Sequence, residues 1–140
     1  MLIEEELSSQ IISAFYKVYN ATGHGFLEML YQRCLVIALR RAGLVVETEL
    51  PISMRYDDEP VGDYRLDLVV NRRIIVECKS GDRMLPVHEH QLMNYLAATG
   101  IEVGLLFNFG ARPTFKRLVY EHSKKSRPRH LSIVWKSSPI

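Results

Sequence analysis

The sequence contains little cysteine, and its apolar segments are short. Cys34 and Cys78 are the two cysteines among 140 residues, and both lie in patterned apolar segments. We therefore expect buried free thiols rather than a disulfide. The apolar stretches are far shorter than the roughly 18 residues that cross a bilayer. Residues 1–6 carry three glutamates where a secretion signal needs basic residues. These absences predict a cytoplasmic protein that does not enter a membrane.

The composition is that of an ordinary globular protein. Hydrophobic residues make up 47% of the chain and charged residues 24%, which is close to the average composition of globular domains. A length of 140 residues predicts one domain over residues 1–140 with one hydrophobic core.

Positive charge is concentrated in residues 112–140. This basic C-terminal section has eight Lys and Arg against one Glu, whereas residues 1–111 have ten against 15 acidic residues. Such asymmetry is typical of a surface that contacts phosphates. A solvated basic loop that aids solubility would have the same composition.

The spacing of apolar residues predicts the element order α-α-β-β-β-α-β-β-β. Helices are expected over residues 4–21, 26–42 and, after Pro86 in a first turn, 88–99. Strands are expected over residues 44–56, 64–70, 73–79, 102–109, 115–120 and 130–135, with a turn at 57–60. This order predicts an α/β fold, with a mixed β-sheet flanked by helices.

Two neighbouring apolar strands carry charged residues in their interiors. Side chains alternate along a strand, so Glu77 and Lys79 share one face. If the turn before them has three residues, Val70 pairs with Ile74, and the same register sets Asp67 opposite Glu77. Two facing carboxylates repel each other, so we expect a positive charge to compensate.

A divalent cation with Lys79 beside it would compensate this repulsion. Mg²⁺ or Mn²⁺ takes a few carboxylate oxygens together with waters and a substrate phosphate. Such a metal activates water and neutralises charge on phosphorus oxygens. Lys79 could orient or deprotonate the water, or stabilise the transition state. The alternative is a structural ion pair of Lys79 with Asp67 or Glu77 on an exposed sheet face.

The pattern of Asp67 followed by Glu77-x-Lys79 on the next strand resembles the PD-(D/E)xK nuclease superfamily. The restriction-endonuclease-like core of that superfamily has the order α-β-β-β-α-β, which the predicted elements contain. Leu66 stands where the name of the superfamily has proline. The resemblance covers roughly residues 5–110.

Two further motifs lie on the predicted helices. Gly25-x-x-Glu28-x-x-Tyr31 resembles the signature of the GxxExxY family, and Gln91-x-x-x-Tyr95 resembles a motif of RecB-like nucleases. Gln91 and Tyr95 are four residues apart and share a helix face. A polar patch on an amphipathic helix is the alternative for this pair, and a solvated carboxylate is the alternative for Glu28.

The resemblance implies a metal-dependent nuclease that acts on DNA, with RNA as the alternative substrate, and a homodimer would help it to hold a duplex. The implied metal ligands are Glu28, Asp67 and Glu77. The implied catalytic residues are Lys79, Glu77, Asp67, Gln91 and Tyr95. The basic residues expected to contact nucleic acid are Arg112, Lys116, Lys124, Lys125, Arg127 and Arg129.

Two expectations qualify this interpretation. The alternative function is a non-catalytic nucleic-acid-binding or scaffold domain that keeps the nuclease fold. His88 lies three residues before Gln91 and could border the site, but the sequence favours an ordinary exposed position for it.

Overall fold

A computed structural model of the chain describes residues 2–123 and 131–135. The predicted element order is confirmed. The helices are α1 (Glu5–Thr22), α2 (Glu28–Arg41) and α3 (Pro86–Thr99). The strands are β1 (Val46–Tyr56), β2 (Glu59–Val70), β3 (Ile74–Lys79), β4 (Val103–Phe109), β5 (Pro113–Val119) and β6 (Leu131–Trp135).

The six strands form one mixed sheet in the order β5-β4-β3-β2-β1-β6. β3 and β4 are parallel, and the other neighbouring pairs are antiparallel. α3 connects β3 to β4, because parallel neighbours need a long crossover. The predicted α/β class with a mixed sheet is therefore confirmed.

Helices cover both faces of the sheet. α1 and α2 pack on one face, where Phe15 and Tyr31 are fully buried against strand residues. α3 packs on the other face, where Leu92 and Leu96 are fully buried. In the described part of the chain, each helix is too short or too polar to cross a membrane. Both cysteines are free thiols as predicted, and Cys78 is buried while Cys34 is half-buried.

The start of β2 differs from the prediction. The strand begins at Glu59 rather than at residue 64, because the turn is only Asp57-Asp58. Both residues have positive φ, 48° and 64°, as a tight two-residue hairpin turn requires. Pro60 is accommodated inside the strand because β2 bulges at Val61, where its register with β1 shifts between Met54 and Arg55, a place where sheets tolerate proline.

The register between β2 and β3 is the predicted one. Val70 pairs with Ile74, and the ladder continues to Leu68 opposite Val76. Arg73 closes the three-residue turn by donating its backbone N–H to Val70 O at 3.0 Å. Extended by one residue, this register sets Asp67 of β2 opposite Glu77 of β3.

Candidate active site

The regular alternation of side chains along β2 is interrupted at Asp67. Leu66 packs in the core on the α3 side and Leu68 in the core on the α1–α2 side, although residues two apart share a face in a regular strand. The β1–β2 ladder keeps one register across this point, so Glu49 lies opposite Asp67. Glu49 has a φ of 48°, a strained value for a non-glycine residue, and such strain clusters at functional sites.

Gln32 of α2 stabilises the irregular backbone at Glu49 and Asp67. Its Nε2 donates to Glu49 Oε1 at 2.9 Å and to the backbone oxygen of Asp67 at 3.4 Å. Gln32 is buried, with 6% of its surface exposed. Gln32 is not among the site residues predicted from the sequence. Its only signal is its place four residues after Glu28, on the same face of the helix.

The Asp67 carboxylate binds the β3 backbone. Its Oδ2 accepts a hydrogen bond from the backbone N–H of Cys78 at 2.9 Å. Cys78 lies between Glu77 and Lys79, so this bond fixes the Asp67 carboxylate beside both residues.

Glu77 is buried beside Asp67. It is 5% exposed and lies on the same face as Ile75, toward α3. Burial raises the pKa of Glu77 well above its ordinary value, and the charge of the adjacent Asp67 carboxylate raises it further. Glu77 Oε1 is buried and has no hydrogen-bond partner among the described residues. Such an atom is costly unless a cation or water binds it.

Lys79 lies near the two carboxylates without pairing directly with either. The pKa of Glu77 is raised overall, and the charge of Lys79 offsets part of that rise. The ion pairs within the described ranges involve other residues, so the alternative of a direct pair of Lys79 with Asp67 or Glu77 does not describe this structure.

α3 brings Tyr95 to the carboxylate pair. Burial raises the pKa of Tyr95 to about 12, and the charges of Glu77, Tyr64 and Asp67 add to that effect. Gln91 is exposed and lines the same cavity as Tyr95. The predicted common helix face of Gln91 and Tyr95 is therefore confirmed.

Tyr31 fixes the start of the helix that carries Glu28. Its hydroxyl donates to Gly23 O at 2.7 Å and accepts from the backbone N–H of Phe26 at 3.2 Å. Glu28 is the first residue of α2 and is exposed. Burial raises the pKa of Cys78 most, and the charges of Asp67, Glu77 and Glu28 raise it further, which places the Glu28 carboxylate near the site.

The structure brings together two of the three implied metal ligands. Within residues 2–123 and 131–135, no three His, Cys, Asp or Glu side chains form a metal-binding group, so Glu28 does not complete a set with Asp67 and Glu77. Two carboxylates are sufficient for Mg²⁺, which keeps several waters and binds substrate phosphate. The unpartnered Glu77 Oε1 beside Asp67 fits such an ion.

His88 is half-buried, and the expectation of an ordinary exposed position is wrong. Its Nδ1 is buried and has no hydrogen-bond partner in the described part of the chain. Burial lowers the pKa of His88 and the charge of Lys79 lowers it further, while Glu28 raises it. His88 therefore borders the site near Lys79 and Glu28.

Asn108 holds the loop that follows β3. It lies beside Lys79 in the β3–β4 register and is 1% exposed. Its Oδ1 accepts from the Gly81 backbone N–H at 3.0 Å, and its Nδ2 donates to Gly81 O at 2.9 Å. Its sequence signal is a single asparagine in an apolar strand.

The basic residues are only partly described. Arg112 is exposed. Lys116 is exposed and forms an ion pair with Glu89 at 2.9 Å. The other four predicted nucleic-acid contacts, Lys124, Lys125, Arg127 and Arg129, lie outside the described residues.

Comparison with known families identifies the superfamily of the chain. A sequence model described as the PD-(D/E)XK nuclease superfamily matches residues 5–118. The chain belongs to this superfamily. Asp67, Glu77 and Lys79 all lie inside the matched range, as do both helix motifs. Membership of the GxxExxY branch stays a prediction.

Comparison with solved structures supports the fold. The crystal structure of SSO0001 is similar with a TM-score of 0.50 and 22% sequence identity. The similarity covers 86% of this chain and 62% of SSO0001, so this chain corresponds to less than two thirds of that protein. A search of curated proteins gave no match.

Proposed function

We propose that this PD-(D/E)XK protein is a divalent-metal-dependent nuclease that hydrolyses phosphodiester bonds of DNA, with RNA as the alternative substrate. The observation that carries the proposal is the buried Glu77 carboxylate, which lies against Asp67 with its Oε1 unpartnered within the described residues. An arrangement with such an energetic cost is typical of a functional site.

Asp67 and Glu77 would hold Mg²⁺ or Mn²⁺, with Glu28 close enough to contribute through water. The metal supplies an activated water and neutralises charge on the phosphate when it is bound. The hydrogen bond from the Cys78 N–H orients Asp67 before any ligand arrives, so little reorganisation is needed.

Lys79, Gln91 and Tyr95 act on the substrate side. In this proposal the Lys79 ammonium orients the attacking water and stabilises negative charge that builds on the phosphate. A pKa of about 12 keeps the Tyr95 hydroxyl protonated at neutral pH, so it remains a hydrogen-bond donor. Gln91 donates from the same face of α3. Basic residues of the C-terminal section contact the phosphate backbone.

The test is an assay of the purified chain on single-stranded DNA, double-stranded DNA and RNA with Mg²⁺, Mn²⁺ or EDTA. We expect cleavage with metal and none with EDTA. Lys79→Met should remove most turnover while leaving Mn²⁺ binding measured by calorimetry nearly unchanged, and Glu77→Gln should weaken both. Lys17→Met is the matched control, because Lys17 is exposed on α1. Nucleic-acid binding without metal-dependent cleavage would favour the non-catalytic alternative.

A further inference from the structure

A cavity of about 470 Å³ opens between α3 and strands β1 and β2. Its walls include Met54, Tyr64, Val87, Gln91, Asn94 and Tyr95. The volume lies within the range of about 300–1,000 Å³ that is typical of sites for small organic groups.

Tyr95 links the cavity to the candidate active site. That side chain forms part of the cavity wall and is close enough to Glu77 and Asp67 to feel their charge. A group bound in the cavity would therefore lie next to a phosphate held at the carboxylate pair.

The chemistry of the walls suits a flat, apolar group with polar edges. The rings of Tyr64 and Tyr95 lie 6.1 Å apart at 65°, and Tyr64 is 41% exposed and Val87 62% exposed. The carboxamides of Gln91 and Asn94 supply hydrogen-bond donors and acceptors beside these apolar surfaces. A nucleobase has both features, since its faces stack on aromatic rings and its edge bonds to amides.

We infer that this cavity binds one unpaired nucleobase next to the phosphate at the Asp67–Glu77 pair. A base inside a duplex is stacked on both faces, so it enters such a cavity only after it leaves the helix. The preferred substrates are therefore single-stranded or have unpaired ends. This inference rests on the proposed nuclease function, whose substrate class it specifies.

The test measures binding in EDTA, where cleavage cannot interfere. The probe is a single-stranded oligonucleotide of about a dozen nucleotides that carries one 2-aminopurine, and the reference is its duplex. We expect tighter binding of the single strand and quenching of 2-aminopurine fluorescence. Tyr64→Ala should weaken single-strand binding by about 5- to 150-fold, as the loss of one stacked base predicts. Tyr64→Phe, which keeps the ring, should bind like the parent.

Tyr56→Ala is the matched control, because Tyr56 is an exposed tyrosine of the neighbouring strand outside the cavity wall. Equal losses for Tyr56→Ala and Tyr64→Ala, or equal binding of single strand and duplex, would overturn the inference even if the protein cleaves DNA. Base-dependent binding that Tyr64→Ala removes would support it even if the protein proves inactive as a nuclease. The two proposals therefore fail separately.

Discussion

Asp67 Oδ2 accepts a hydrogen bond of 2.9 Å from the backbone N–H of Cys78. The carboxylate of β2 is thereby attached to the segment of β3 that carries Glu77 and Lys79. Because this bond is made within the protein, the orientation of Asp67 does not depend on a bound cation. The bond brings a negative charge close to Glu77, which is buried and already disfavours ionisation.

Substitutions at Asp67 should separate the hydrogen bond from the charge. Asp67→Asn keeps an oxygen that can accept from Cys78, whereas Asp67→Ala leaves that N–H without its partner. We expect the free energy of unfolding of the alanine variant to be about 1–2 kcal/mol lower than that of the asparagine variant. Urea denaturation in EDTA measures this difference. Both should lose Mn²⁺ affinity in calorimetry. Equal stabilities would show that the bond to Cys78 contributes nothing to folding.

The raised pKa of Glu77 predicts how stability depends on pH. A carboxyl whose pKa is raised in the folded state stabilises that state fully below its unfolded value of 4.5. This contribution is lost as pH rises through the folded pKa. We therefore expect the difference in melting temperature between Glu77→Gln and the parent, measured in EDTA, to shift in favour of the variant as pH rises. At acidic pH, where Glu77 is protonated in both states, this difference should be constant. Saturating Mn²⁺ should stabilise the parent more than the variant. A pH-independent difference would contradict the burial of Glu77.

Part of this site could be predicted from residue order alone. Alternation along β3 placed Glu77 and Lys79 on one face, and the length of the turn fixed the pairing of Val70 with Ile74. The interruption of side-chain alternation at Asp67 could not be predicted, because alternation assumes a regular pleat. Nothing in the sequence marks Glu49 for a positive φ.

The remaining site contacts join elements that are distant in sequence. Asn108 binds Gly81 across 27 positions, and Gln32 binds the Asp67 backbone across 35. Periodicity describes one element at a time, so it does not report which polar side chain of one element meets the backbone of another. The partial burial of His88 near Lys79 depends on the same kind of tertiary packing, which periodicity does not report.

The hydroxyl of Tyr31 should stabilise the loop before α2. Tyr31→Phe keeps the ring stacked on Phe109, whose centroid is 4.3 Å away, but removes the bonds to Gly23 and Phe26. We expect a loss of about 1 kcal/mol and faster hydrogen exchange of the Phe26 amide.

Tyr16→Phe is the control for this hydroxyl. Within the described residues, Tyr16 contacts Phe15 and Phe115 through its ring. We expect its stability to match that of the parent within about 0.5 kcal/mol. A Tyr31→Phe protein as stable as Tyr16→Phe, with unchanged exchange at Phe26, would show that Tyr31 acts through its ring alone.

Asn108 should position the end of β3 for catalysis. Asn108→Ala removes both bonds to Gly81 and leaves a buried gap, so we expect a loss of about 1–3 kcal/mol. Misplacement of the segment after Lys79 should lower kcat more than it raises KM. Asn20→Ala, the same change at an exposed position on α1, is the control. An activity loss that disappears once the fraction of folded protein is corrected for would reduce Asn108 to a purely structural role.

The basic C-terminal section should determine the salt dependence of nucleic-acid binding. Replacing Lys124, Lys125, Arg127 and Arg129 together by glutamine should flatten the slope of log affinity against log salt by up to about 3.6 for duplex DNA, because each phosphate contact contributes about 0.9. Binding should weaken uniformly across sequences, since phosphate contacts carry no base information. Fluorescence anisotropy at several salt concentrations gives the slope, and melting temperatures verify that the variant is folded. An unchanged slope would move the phosphate contacts to the α2 surface that carries Arg33 and Arg41, both of which are exposed.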